Sequence, residues 1–311
     1  MKKNKYLAIG AAVMLSGLLL LSMTVASYAS GNAYEQLKQL LNEKPAEIGN
    51  MTVHMDMSVT DNGVTAMNTV GDIKADKASK NSSGQIKVSG KSEEKVINFF
   101  SADKAVLFNV AGSENWYRTE ARERLSRSDS EEQFGNDNAD MKKLRGMLMD
   151  TLMGDMKDQV SLEESNGLRT FSLELNKGNM PLLVQTAFNA GSTRKQADLP
   201  DAGAMANLPS ELQDLIGDLA DYHKAVNISG EKDLQRISVK LTVNQDNKPV
   251  GADLSAAFSA MSTDGSVHNY ETSLKASISD LNSTVPDQAG IDPSKAITID
   301  PAQFEGICRA D

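Results

Sequence analysis

One cysteine in 311 residues leaves this chain no internal disulfide, so its fold must rest on a hydrophobic core alone. That residue, Cys308, stands near the C-terminus, where the only disulfide open to it joins two chains. Aromatic side chains are scarce too, at 5% with a single tryptophan. The core must therefore draw on Leu, Val, Ile and the 15 methionines. Histidine occurs three times, and no H-x-x-x-H, C-x-x-C or H-E-x-x-H spacing exists, which removes the common transition-metal sites. Without a G-x-S-x-G elbow or a supported S-x-x-K, the recognisable acyl-transfer enzymes go as well. Asn136-Asp137-Asn138 with Asp140 spaces oxygen ligands as a calcium loop does, but its glycine comes too early and no glutamate closes it. We expect no catalytic residues, no metal and no cofactor.

A long apolar run occurs once, at the start. Lys2, Lys3 and Lys5 precede 19 uncharged positions from Leu7 to Val25, and Ser27-Tyr28-Ala29 offers small residues where signal peptidase needs them. Residues 1–29 are thus expected to be a cleaved signal peptide. Retained, the same run would just span a bilayer, and membrane contact is expected only in that case. The expected location is secreted or extracytoplasmic, at the outer face of the cell membrane or in the cell wall. Losing three lysines with the leader moves the formal charge from −10 to −13. Such a polyanion is repelled by nucleic acid, which we exclude as a partner.

Period-2 alternation dominates the rest. Val53, Met55, Met57 and Val59 alternate with polar residues and run into Asp61-Asn62-Gly63, a hairpin signal. Further strands are expected at 64–76 with Met67 and Ile73 inward, after a turn at 81–84, at 96–100 and at 105–110. Asn166-Gly167 joins a hairpin carrying Val160, Leu162, Phe171, Leu173 and Leu175. In the last third, Ile237, Val239, Leu241 and Val243 alternate, then Val250 to Phe258, then Tyr270 to Ile278. His54 falls on a polar phase and reads as solvated. His268 shares a phase with Tyr270 and reads as half-buried.

Helical spacing appears at 31–44, 140–157, 179–190 and 209–222. The second of these carries Met141, Met147, Met149, Met153 and Met156, a soft face able to repack around varied apolar partners. Between 118 and 140 the pattern dissolves into charge, the mark of a flexible loop. Strand meander, helices and strand meander make an α+β fold: a curved, mostly antiparallel β-sheet, a meander or half-barrel, covered by a few short helices. The expected organisation is a signal peptide at 1–29, one extracytoplasmic domain at 30–281 and a Pro/Asp-rich tail at 282–311.

The stretches Asn32-Ala33-Tyr34-Glu35, Thr60-Asp61-Asn62-Gly63, Asn179-Met180-Pro181-Leu182-Leu183-Val184 and Leu281-Asn282-Ser283-Thr284-Val285-Pro286 resemble those of uncharacterised exported proteins from Gram-positive, spore-forming bacteria. The order of elements is similar to the lipoprotein-carrier (LolA/LolB-like) fold. That resemblance implies an apolar cavity between sheet and helices. The expected function is a non-enzymatic extracytoplasmic binding protein, a lipid or lipoprotein carrier, whose partner is a lipid or an apolar segment of an envelope protein. Its cavity would be lined by Met147, Leu148, Leu152 and Met156 on the helix, facing Val53, Met55, Leu241 and Val243 on the strands. The alternative is an accessory or sensor protein of an envelope transporter or signalling system, with a filled core.

Overall fold

The computed structural model describes residues 33–42, 48–90, 93–102, 105–120, 157–192, 209–213, 228–262 and 265–299. The expected signal peptide, residues 193–208 and the methionine-rich stretch up to 156 lie outside them.

Alternation becomes one open sheet of twelve strands. The first meander is β1 (Asn50–Asp61), β2 (Val64–Asp76), β3 (Asn81–Ser89), β4 (Lys95–Ala102), β5 (Ala105–Val110) and β6 (Tyr117–Glu120). The second is β7 (Val160–Ser165), β8 (Leu168–Asn176), β9 (Ile228–Val243), β10 (Pro249–Ser262) and β11 (Val267–Ser279). Each meander pairs its strands in sequence order, and β1 pairs antiparallel with β11 to fuse the two into one sheet. A short last strand, β12 (Ile297–Thr298), adds to β6 in parallel at the far edge. Register shifts at Val59/Thr60, Ala257/Phe258 and Ser259/Met261 are bulges of the kind that bend strands and help a large sheet curve.

Two hairpins form where the sequence marks them. Asn62 and Gly63 take φ of 49° and 79°, and Asn166 and Gly167 take 53° and 75°, the paired positive angles that match the twist of the flanking strands. The turn expected at 81–84 lies earlier, at 77–80. The Asp76 carboxylate accepts the Ala78 N–H at 2.9 Å and the Ser79 hydroxyl at 2.8 Å, closing the turn before Asn81 starts β3. Gly84 therefore sits inside a strand. A Cβ there would lie 2.8 Å from the Phe99 ring and collide with the Asp72 carbonyl, so only glycine lets these strands pair. Arg118-Thr119-Glu120, expected in the charged loop, belong instead to β6 beside β5, and the rest of that expected loop lies outside the described residues.

The architecture is mostly β with few helices, a weaker helical share than an α+β expectation implies. Helix α1 (Ala33–Asn42) and helix α2 (Leu182–Ser192) fall on expected segments, and 210–213 forms a short helical turn behind Pro209. Leu37 and Leu40 of α1 close over Phe171, Leu241 and Val243, sealing the β7–β9 end of the sheet. Among the described residues, no helix is long and apolar enough to cross a membrane.

The first part of the C-terminal tail is seated on the sheet, although it carries little apolar surface. Polar contacts hold it instead. Thr284, 6% exposed, donates its N–H to Asn50 Oδ1 at 2.7 Å and meets the Thr52 hydroxyl at 2.9 Å. The Asp287 N–H donates to Ser83 Oγ at 2.8 Å, and Lys74 reaches the Asp287 carboxylate at 2.9 Å. Thr52, Lys74, Ser83, Phe100, Leu107 and Arg118 are successive cross-strand partners on one line across the sheet. The tail follows that line to β12, where Ile297 N–H bonds the Trp116 carbonyl at 2.8 Å.

Candidate functional site: the apolar face

Because side chains alternate across a strand, register decides what stands beside what. Phe171 pairs with Leu241, Leu241 with Ala252, Ala252 with Ala276, Ala276 with Met55, and Met55 with Gly71. The same line continues through Ile86 and Ile97 to Val110. A parallel line runs from Ile278 through Val53, Ile73, Gly84 and Phe99 to Phe108 and Tyr117. One face of the sheet is thus apolar from one meander to the other. The opposite face carries polar cross-strand pairs, among them Ser58–Ser273 at 2.7 Å and Thr170–Thr242 at 3.0 Å.

The face is not closed evenly. Leu241, Val243, Leu274 and Ile278 are buried, whereas Val53, Met55, Met57, Ile73, Ile86 and Ile97 on β1–β4 are only half-buried. Of the expected lining, the structure puts Val53, Met55, Leu241 and Val243 on one face but in two settings. Met55 and Leu241 share a cross-sheet line with only Ala276 and Ala252 between them, and Met55 reaches over Gly71. Leu241 and Val243 belong to the packed cluster under α1, so they are core. Met147, Leu148, Leu152 and Met156 lie outside the described residues.

A polar clamp holds the β6 edge. Glu211 Oε1 accepts the Ser113 hydroxyl at 2.9 Å and the Asn115 amide at 3.1 Å, while Oε2 accepts the Tyr117 hydroxyl at 3.3 Å. Its own backbone N–H, then these side-chain donors, pull the carboxyl from 4.5 to about 2. Tyr117 moves the other way: burial first, then the Glu211 charge, raises its phenol. A carboxylate with a depressed folded-state value stabilises the fold fully above the unfolded value and loses that contribution as pH falls through the folded one. Acid titration between pH 4.5 and 2 is therefore expected to weaken the protein, and Glu211→Gln to flatten that part of the stability curve, read by circular dichroism at each pH.

Both strand histidines are paired. His54 meets Asp72 at 2.7 Å on the exposed polar face. His268 binds Asp61 through Nδ1 at 2.8 Å and the Ser266 hydroxyl through Nε2 at 2.9 Å. The order Ser–His–Asp and these distances match a nucleophilic triad. However, Ser266 and His268 are two residues apart along the chain at the start of β11, and Asp61 ends the strand alongside. Neighbours of that kind meet by pleat geometry alone, and the trio ties two hairpin ends together. Among the described residues, no three His, Cys, Asp or Glu side chains converge to hold a metal ion.

Sequence reasoning missed one charged residue of note, Lys232. It lies on β9, which begins at Ile228, nine residues before the alternation becomes legible at Ile237. Bulges around Phe258 and Met261 break the period there, so Lys232-Asp233 falls outside the strands read from the sequence. In the fold Lys232 is 7% exposed, its Nζ stands 5.9 Å from the Phe258 ring centre, and burial lowers its pKa. Phe258 in turn packs edge-on to Phe188 of α2 at 5.3 Å and stacks on Tyr270 at 5.2 Å.

No protein-family model matches this chain, and no curated protein matches it.

Proposed function

We propose that this protein is a non-enzymatic extracytoplasmic carrier that holds a lipid or another amphiphile against the apolar face of its sheet. The observation that carries the reading is the uneven closure of that face. A filled core would bury Val53, Met55, Ile73, Ile86 and Ile97 as completely as Leu241 and Val243 are buried, yet they stay half-buried in the middle of a continuous apolar surface. The meander order and the resemblance to the lipoprotein-carrier fold support the same reading. Export through the signal peptide would place the protein where envelope lipids and lipoproteins travel.

Each methylene of an acyl chain removed from water contributes about 0.8 kcal/mol, so partial enclosure should give measurable binding. A fluorescent acyl probe is expected to bind the delipidated protein with saturation, and Met55→Trp, which fills the space over Gly71, to weaken that binding about tenfold or more. Saturable binding that Met55→Trp leaves unchanged would move the ligand elsewhere. No binding of any amphiphile would end the carrier reading in favour of an accessory or sensor module.

A further inference from the structure

A buried ammonium group without a carboxylate is costly. Its hydration is gone, and a ring face returns only a fraction of it. Lys232 is in that position: among the described residues its Nζ has the Phe258 ring as partner and no acid beside it, although acidic residues outnumber basic ones in the chain. The backbone holds it there, since the Lys232 N–H donates to Asn189 Oδ1 of α2 at 3.0 Å. Phe258, half-buried and stacked on Tyr270, lies on the same apolar face of the sheet. From Phe258, Ala256, Leu254 and Ala252 follow on one face of β10. Six residues of strand span about 20 Å, the scale of a long acyl chain.

We propose that Lys232 seats the acidic head, a carboxylate or phosphate oxyanion, of an amphiphile whose chain lies along β10, over the half-buried Phe258, Ala256 and Leu254. This rests on the carrier reading and narrows it to anionic ligands. The ligand's oxyanion would supply the ion pair that the described residues do not, so that the cost of burying Lys232 is recovered on binding. The chain's net negative charge does not oppose this. Its repulsion is screened beyond roughly 8 Å in physiological salt, whereas a buried pair is screened far less.

Three ligands with one twelve-carbon tail separate the possibilities: dodecanoate, dodecyl phosphate and neutral dodecanol, titrated by calorimetry into delipidated wild-type protein and Lys232→Met. At least one anion is expected to bind wild type about tenfold or more tighter than dodecanol, and the better of the two identifies the head as fatty acid or phosphate ester. In Lys232→Met that preference should vanish while dodecanol binding stays within about twofold. The variant should also melt at a higher temperature, because an unpaired buried charge has been replaced by a side chain of similar volume. Equal binding of anions and dodecanol by wild type, a preference retained in Lys232→Met, or a lower melting temperature would each overturn the assignment. In the first two cases the carrier reading would survive; failure of all three ligands to bind would remove both.

Discussion

Leu241→Asp is expected to leave the protein largely unfolded at room temperature, while Lys240→Ser, one residue away, should change stability by no more than about 0.5 kcal/mol. Leu241 is 5% exposed and packs with Phe171, Val243 and Leu40, so the substitution removes a leucine from the seal between α1 and the sheet. Loss of that packing alone costs about 2–5 kcal/mol. The new carboxylate would sit among apolar neighbours without a partner and add to the penalty. Against a total stability of roughly 5–15 kcal/mol, the sum leaves little folded protein. Lys240 projects to the polar side and is exposed. Urea denaturation followed by circular dichroism measures both variants. Effects of similar size at the two positions would show that the apolar face has been assigned to the wrong phase.

Tyr117→Ala should destabilise the protein by about 3–5 kcal/mol and free the C-terminal strap at its far end. Tyr117 is fully buried, stands 5.5 Å from the Phe108 ring, and shares a cluster with Leu212 and Ile299. Three separate stretches of chain meet on this one ring: β5–β6, the helical turn at 210–213, and the end of β12. Removing it opens a cavity to which all three contribute. Tyr117→Phe keeps the ring and loses only the 3.3 Å hydrogen bond to Glu211, a cost of about 1 kcal/mol. Limited proteolysis reports the strap directly. The alanine variant should be cut within 282–299 at protease levels that spare both wild type and Tyr117→Phe. Equal protection in all three would mean that the hydrogen bonds to Asn50, Thr52 and Ser83 hold the strap without help from Tyr117.

The legible part of the candidate site was its phase. Val53 and Met55 could be placed on an apolar face because the residues between them are polar. The same pattern could not show that Leu241 and Val243 lie beneath α1, since burial by a helix distant in sequence leaves no mark on a strand's own period. Lys232 was hidden for a different reason. Bulges shift its strand out of register, and a lysine followed by an aspartate looks like a loop unless its neighbours in space are known.

The sequence by itself determined the regular strands and the two Asn-Gly turns, because period 2 and the positive φ of Asn62-Gly63 and Asn166-Gly167 are local properties of a few residues. It also determined which side of each regular strand is apolar. Only the tertiary structure decided that the two meanders join along β1 and β11, for any two amphipathic strands can offer each other the same hydrogen bonds. That choice makes one broad apolar face from two narrow ones. It likewise decided that a tail poor in apolar residues returns across the sheet, because the polar partners holding it are supplied by Asn50, Thr52, Lys74 and Ser83, more than 200 residues earlier in the chain. Contacts of such range are set by the packing of the whole molecule, and no local pattern records them.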